Sequence, residues 1–270
     1  MRKIQKTHSH KELQKFNQKH PNASYDDLCD YTVIDKGNNP VLDDNSNPIQ
    51  LKNLVQEALA AEQGYICCYC LQSLGKKGAL KIRIEHFKPK SIHDGKNGQL
   101  DLRTDYTNLL AACSKKKDKE GREEKGIGHC DVYKAEKEFQ YLNNPSDTLF
   151  KDQKRHFYYN VRGKVFCKDE NINKEIGGIL REDNSVDEGI INLNHQYLIN
   201  KRLGVWNSIS RKFKKAAKTD KWEQKRQQLL PLARELWEEY KSPKKDKSLY
   251  PFCEMVVHLL EKKFRELKQS

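Results

Sequence analysis

Cys67-Cys68-Tyr69-Cys70, Ile84-Glu85-His86-Phe87-Lys88-Pro89, Asn108-Leu109-Leu110, Cys113, His129-Cys130-Asp131 and Lys134 follow one another within 68 residues. Cysteines bracket an acid–histidine pair, an asparagine and a second acid. Thiolates build closed metal sites, whereas histidine, asparagine and carboxylates build open ones. The stretch therefore reads as one small unit holding both kinds of site.

Cys67 and Cys70 have the two-residue gap that lets a single tight turn aim both sulfurs at one ion. Cys113 and Cys130 are the natural second pair, split by a lysine-rich insertion at 115–126. Cys68 stands as an alternative to Cys67, and His129 as an alternative to Cys130. Five of the eight cysteines lie between Cys67 and Cys130, while Cys29, Cys167 and Cys253 are scattered. Five thiols in one polar region are hard to explain as apolar core, and in a reducing compartment such clustering points to metal rather than to disulfides.

Glu85-His86 closes a period-two segment over 80–87 in which Ile82 and Ile84 alternate with Lys81, Arg83 and Glu85, the pattern of a short strand. A neutral imidazole there can take a proton from water, and the adjacent carboxylate can ligate a divalent cation. Asn108 can hydrogen-bond the imidazole or nearby backbone and fix the orientation of His86. Asp131 opens an expected helix over 131–139 and offers a second oxygen ligand. Lys134, one turn on, faces the same side and can meet a phosphate. Singly, these are a strand end, a turn residue and an N-cap. Together, inside a cysteine frame, they are the parts that phosphodiester hydrolysis needs: a base, and a metal that neutralises the developing charge.

The rest of the 270 residues is helix-rich, so the fold class is α+β and mainly helical. Four segments are expected: an N-terminal arm with an amphipathic helix (1–63), the zinc-stabilised core (64–142), an insertion with a hairpin around Arg162-Gly163 (143–188), and a basic helical region (189–270). Helices are expected over 11–19, 49–63, a stretch containing Leu203 to Phe213, 222–240 and 252–267. No apolar run approaches the roughly 20 residues of a membrane span, and the basic start has no apolar core behind it, so a cytoplasmic protein is expected.

The net charge of +13, from 51 Lys+Arg against 38 Asp+Glu, favours a polyanionic partner. Seven basic residues at 76–96 flank the expected base, Lys88 and Lys90 among them. Arg211, Lys214, Lys215 and Lys218 are expected on one helix face opposite Trp206 and Phe213, a stripe suited to a phosphate backbone.

These motifs resemble the HNH, or ββα-metal, endonuclease family, whose pattern is Cys-x-x-Cys, Asp/Glu-His, Asn-Leu, then Cys and a further Cys-His/Asn-x-x-Lys. The matching positions are Cys67/Cys70, Glu85-His86, Asn108-Leu109, Cys113, and Cys130-Asp131 with Lys134, the Asp departing from the usual His or Asn. The basic start, the run Glu85 to Ser91 and Leu193-Asn194-His195 are similar to the PtuB-type branch, the HNH subunits of Septu anti-phage systems and of some retrons. The resemblance implies His86 as general base, Asn108 as its support, and Glu85 and Asp131 as ligands of a catalytic divalent cation such as Mg²⁺. It also implies a structural Zn²⁺ on Cys67, Cys70, Cys113 and Cys130. A PtuA-type ATPase partner follows from it as well, with a reverse transcriptase and its RNA/DNA in the retron setting. The rival readings are a non-catalytic zinc ribbon that binds nucleic acid or a partner, and, more weakly, a thiol redox protein, for which a βαβ context is lacking.

Overall fold

The computed structural model describes residues 1–7, 9–96, 101–114, 128–177, 179–180, 186–219 and 221–269; the lysine-rich insertion lies outside them, apart from Ser114 before it. Three helices come first. In α1 (Lys11–Lys19), His10 caps the start and Leu13 and Phe16 are buried. In α2 (Tyr25–Asp30), Ser24 and Asp27 form a reciprocal capping box, which accounts for a helix of six residues. α3 (Leu51–Glu62) buries Leu51, Val55 and Leu59, spaced four apart.

After the Cys67–Cys70 turn come the short antiparallel pair β1 (Gly75–Lys76) and β2 (Ala79–Leu80), then β3 (Ile82–His86). A single 3₁₀ turn at Tyr106–Asn108 leads into β4 (Leu109–Cys113), all five residues of which are buried. β3 and β4 pair antiparallel with His86 opposite Leu109 and Ile82 opposite Cys113. This register puts the imidazole at one end of the hairpin and the Cys113 thiol at the other. The second edge of β4 is closed by a side chain: buried Gln63 donates through Nε2 to Ala111 O at 2.8 Å and accepts from Ala111 N–H at 2.8 Å.

The helix expected over 131–139 is a single turn, α4 (Asp131–Lys134). It stops because Ala135 takes φ +48°, which an L residue adopts only under constraint. Phe139 instead packs, buried, against Phe87 and Tyr69. Beyond α5 (Phe150–Gln153), the expected hairpin forms from β5 (Phe157–Tyr159) and β6 (Val165–Cys167). α6 (Glu170–Ile176) and the pair β7 (Ile179–Leu180) and β8 (Val186–Asp187) follow. α7 (Gln196–Ala216), α8 (Trp222–Lys241) and α9 (Cys253–Gln269) complete the chain, with Pro231 inside α8 and α8 packed on α9. The buried apolar residues form one cluster reaching from Met1 to Leu267.

Two basic features stand out, the first of them a departure from the expected helix face. Lys218 lies past the end of α7 and does not continue the face that carries Arg211, Lys214 and Lys215, all three exposed. The basic start is turned inward: Arg2 pairs with Glu254 at 3.0 Å, Lys3 donates to the Ser146 and Asp147 carbonyls, and Lys6 donates to Leu109 O.

Two buried polar residues bind backbone groups of neighbouring segments. Asn194 bonds both backbone groups of Val165 and the carbonyl of Gly177. Glu175 accepts from the N–H groups of Gln140, Tyr141 and Leu142 at 2.6, 3.1 and 2.7 Å. Glu175→Ala leaves three donors without this acceptor. It is expected to lower stability by about 2–3 kcal/mol in urea unfolding, with Glu175→Gln costing less.

Candidate metal centre and cleft

The Sγ atoms of Cys67, Cys70, Cys113 and Cys130 all lie within 4.8 Å of one another and are buried. Cys70 and Cys113 sulfurs are 3.9 Å apart, against the about 3.8 Å edge of a tetrahedron with Zn–S bonds of about 2.3 Å. All eight cysteines are free thiols. Burial raises the Cys67 thiol and the neighbouring thiols hydrogen-bonded to it lower it, leaving it well below its ordinary range; burial and the same neighbours push Cys130 well up. Four thiolates so close need a cation, and a tetrahedral zinc fits these donors.

The four-thiol set includes Cys67 and Cys130, and the two alternatives lie next to it. Cys68 N–H bonds Ala111 O, and its sulfur is outside the four-thiol set. His129 stacks on Tyr197 and sets Nδ1 3.3 Å from Cys130 Sγ and 3.7 Å from Cys113 Sγ, beside the cage rather than in it. Cys113 N–H points at Cys67 Sγ from 3.4 Å, a backbone hydrogen bond to a ligand sulfur.

The cage touches the second group of residues directly. Tyr69, inside the Cys67–Cys70 turn, donates its hydroxyl to Glu85 Oε1 at 2.7 Å. Cys130 is the N-cap of α4, and its N–H is held by Ile191 O at 2.8 Å, so the residue after a cage ligand is Asp131. Period two puts Arg83 and Glu85 on one face of β3, and Asp131 meets both. Arg83 Nε is 2.6 Å from Asp131 Oδ2, although that buried oxygen has no aligned hydrogen bond. Glu85 is buried, and burial first, then the Asp131 carboxyl, raises its pKa well above the carboxylate range against the pull of Lys134. Two facing carboxyls, one with an unsatisfied buried oxygen, are a donor set that suits a divalent cation.

His86 donates Nε2–H to the carbonyl of Arg103 at 2.9 Å, because a carbonyl can only accept; Nδ1 therefore keeps the lone pair. Burial lowers the His86 pKa, with Lys90 and Lys134 adding to that and the Arg103 carbonyl opposing it. The balance lowers the pKa and favours the neutral ring. Tyr25 from α2 meets it edge-on, ring centroids 4.7 Å apart. Asn108 does not touch the imidazole. It accepts from Lys88 N–H at 2.8 Å and donates to Lys88 O at 3.0 Å and Leu102 O at 3.2 Å, pinning the chain after His86 to the segment that carries Arg103.

Glu85, His86 and Asp131 line one cleft of about 560 Å³, with Tyr25, Lys52, Arg83 and Lys90 at its walls. Among the described residues they do not form a second set as close as the four thiols. Lys88 is exposed, and Lys90 lies over Tyr25 and 3.9 Å from Asp26. Lys134 departs from its expected role. It is buried at 1% exposure, pairs with Glu85 at 3.0 Å and donates to His86 O at 2.9 Å, so it holds the site together and does not reach a phosphate. Tyr69 and Arg103 were not singled out from the sequence; Tyr69 carried a signal in its place between the cysteines, whereas Arg103 acts through its backbone and carried none.

The class these parts define is a strand–strand–helix unit that backs an open carboxylate–imidazole cleft with a four-thiol cage. No family model matches the chain. A protein of Escherichia coli named "Retron Ec83 putative HNH endonuclease" is 30% identical over 115 residues. The match covers 42% of this chain and 37% of that protein, little more than a third of the relative's length. Among the described residues, no helix is long and apolar enough to cross a membrane.

The cage makes a direct demand on composition. Purified protein is expected to hold one zinc per chain by elemental analysis. Cys70→Ser should lose the metal and unfold at markedly lower temperature, whereas Cys68→Ser should keep full zinc. Zinc loss in Cys68→Ser but not in Cys67→Ser would reassign the knuckle.

Proposed function

We propose that the chain is a metal-dependent endonuclease of the HNH kind, with His86 as general base. The observation that carries this reading is the Arg103 carbonyl on His86 Nε2–H, which leaves the Nδ1 lone pair free on a histidine that lines a cleft with two carboxylates. The similarity to a protein named as a retron HNH endonuclease supports the same reading.

In this account Nδ1 of His86 takes the proton of the attacking water. Glu85 and Asp131 would hold the divalent cation, which would supply positive charge to neutralise the scissile phosphate and the leaving oxygen. Asn108 is a positioning residue: it holds the backbone on both sides of the loop that brings Arg103 to His86. The four thiols hold zinc for structure alone, since a fully cysteine-ligated ion has no open position. Lys88 and Lys90 meet the nucleic acid near the cleft, and the exposed Arg211, Lys214 and Lys215 on α7 track it further away. Sequence preference by this chain alone is weak in this account, and DNA is the favoured substrate over RNA. The biological setting we propose is anti-phage defence, in a retron or Septu-like system with a PtuA-type ATPase partner.

The test is cleavage of plasmid DNA in Mg²⁺ by the intact protein and by His86→Ala, with and without the partner. His86→Ala is expected to be at least about 100-fold slower, the usual worth of a general base. Asn108→Ala should also slow cleavage while keeping zinc. Equal cleavage by intact and His86→Ala protein would contradict the assignment, and binding of DNA without His86-dependent cleavage would favour a non-catalytic zinc ribbon.

A further inference from the structure

Arg83 sits where a cation belongs. It rises from the face of β3 that carries Glu85, and its Nε lies 2.6 Å from Asp131 Oδ2. Its side chain is 53% exposed, whereas that of Asp131 is 14% exposed. The guanidinium thus reaches into the cleft from its rim, and no hydrogen bond of good alignment ties it to the oxygen it neutralises. Glu85 already has its own buried partners, Lys134 and Tyr69. Asp131 has only Arg83 as a cationic partner within ion-pair distance among the described residues.

We propose that Arg83 is an exchangeable counter-ion: it occupies Asp131 in the cation-free protein, and once displaced by a divalent cation it becomes a ligand for a backbone phosphate of the nucleic acid. The inference rests on the proposed nuclease reading and adds to it a phosphate-binding residue whose availability depends on the cation. Three features carry it. A monovalent guanidinium at one carboxylate oxygen is outcompeted by a divalent ion that both carboxyls can hold. A released arginine, half in solvent at the rim of an anion-seeking cleft, has the planar fork that suits a phosphate. Lys52 on α3 lines the same cleft and makes no ion pair among the described residues, so a phosphate bound by the released Arg83 would find a second cation there.

The consequence is a pair of opposite effects. With His86→Ala as background to prevent cleavage, Arg83→Gln should bind Mg²⁺ or Mn²⁺ about fivefold more tightly by calorimetry, because a competing positive charge is gone. The same change should weaken binding of a short duplex DNA about tenfold in saturating Mg²⁺. It should also reduce the slope of log K against log salt by about one phosphate contact. Without added divalent cation, the slope should be the same for both proteins, since Arg83 is then engaged on Asp131. Arg83→Lys, which keeps the charge, should recover most of the DNA affinity, and zinc content with circular dichroism confirms that each variant is folded. Weaker or unchanged cation binding by Arg83→Gln would overturn the inference, as would a salt slope unaltered in Mg²⁺ or lowered equally without it. If the His86→Ala protein binds DNA and only these differences fail, the inference alone falls; if it binds no DNA in any condition, the nuclease reading falls with it.

Discussion

Four thiols drawn from three separate places hold the site in register. Cys67 and Cys70 come from the turn after α3, Cys113 ends β4, and Cys130 starts α4. Tying the end of β4 to the start of α4 fixes a helix of one turn, far too short to persist by itself. That turn carries Asp131 and Lys134, which face β3. The knuckle contributes Tyr69 to the same point, so the cage positions the carboxyl pair from two sides. Apart from the cage, the ion pairs of Asp131 with Arg83 and Lys134 with Glu85, and the bond from Lys134 to His86 O, connect α4 to the hairpin.

Polarity within the cleft follows from that arrangement. Burial of Glu85, and then the adjacent Asp131 carboxyl, raise its pKa, because two neighbouring anions so far from water repel strongly. Lys134 answers part of that demand, and Arg83 answers part of it at Asp131. His86 stands at the far end of β3 from Cys113 and is governed by other groups: a backbone carbonyl sets its tautomer, and Asn108 secures the loop that supplies that carbonyl. The imidazole and the carboxyl pair therefore have different side-chain partners, and they are joined by one strand and by Lys134, which pairs with Glu85 and donates to His86 O.

Much of this was legible in the sequence because the chemistry sits in short, ordered motifs. The two-residue cysteine gap, the alternation through Ile82 and Ile84, and the apolar run at Leu109 each announce a local geometry, and the elements formed where those signals lie. The ligand choice between Cys130 and His129 was not legible, since adjacent residues differ in direction by backbone angles, here φ +56° at Cys130. The extent of α4 was misread for a similar reason: Asp131 to Phe139 has no proline or glycine to stop a helix, and tertiary packing of Phe139 ends it instead. The basic residues were the least legible. Lys134, Arg202 and the first lysines look like solvent-facing charge, yet Lys134 neutralises Glu85, and Arg202 is buried and bonded to Gly163 O. Charge counts place a residue neither inside nor outside.

The central claim is that one cage organises two distinct cation environments. Crystals of the zinc-loaded protein soaked in Mn²⁺, with anomalous scattering measured at the zinc and manganese edges, test it most directly. The expected result is a zinc peak enclosed by the sulfurs of Cys67, Cys70, Cys113 and Cys130, and a separate manganese peak on the oxygens of Glu85 and Asp131. Dispersed thiols, or manganese bound away from both carboxylates while the zinc cage is intact, would contradict it.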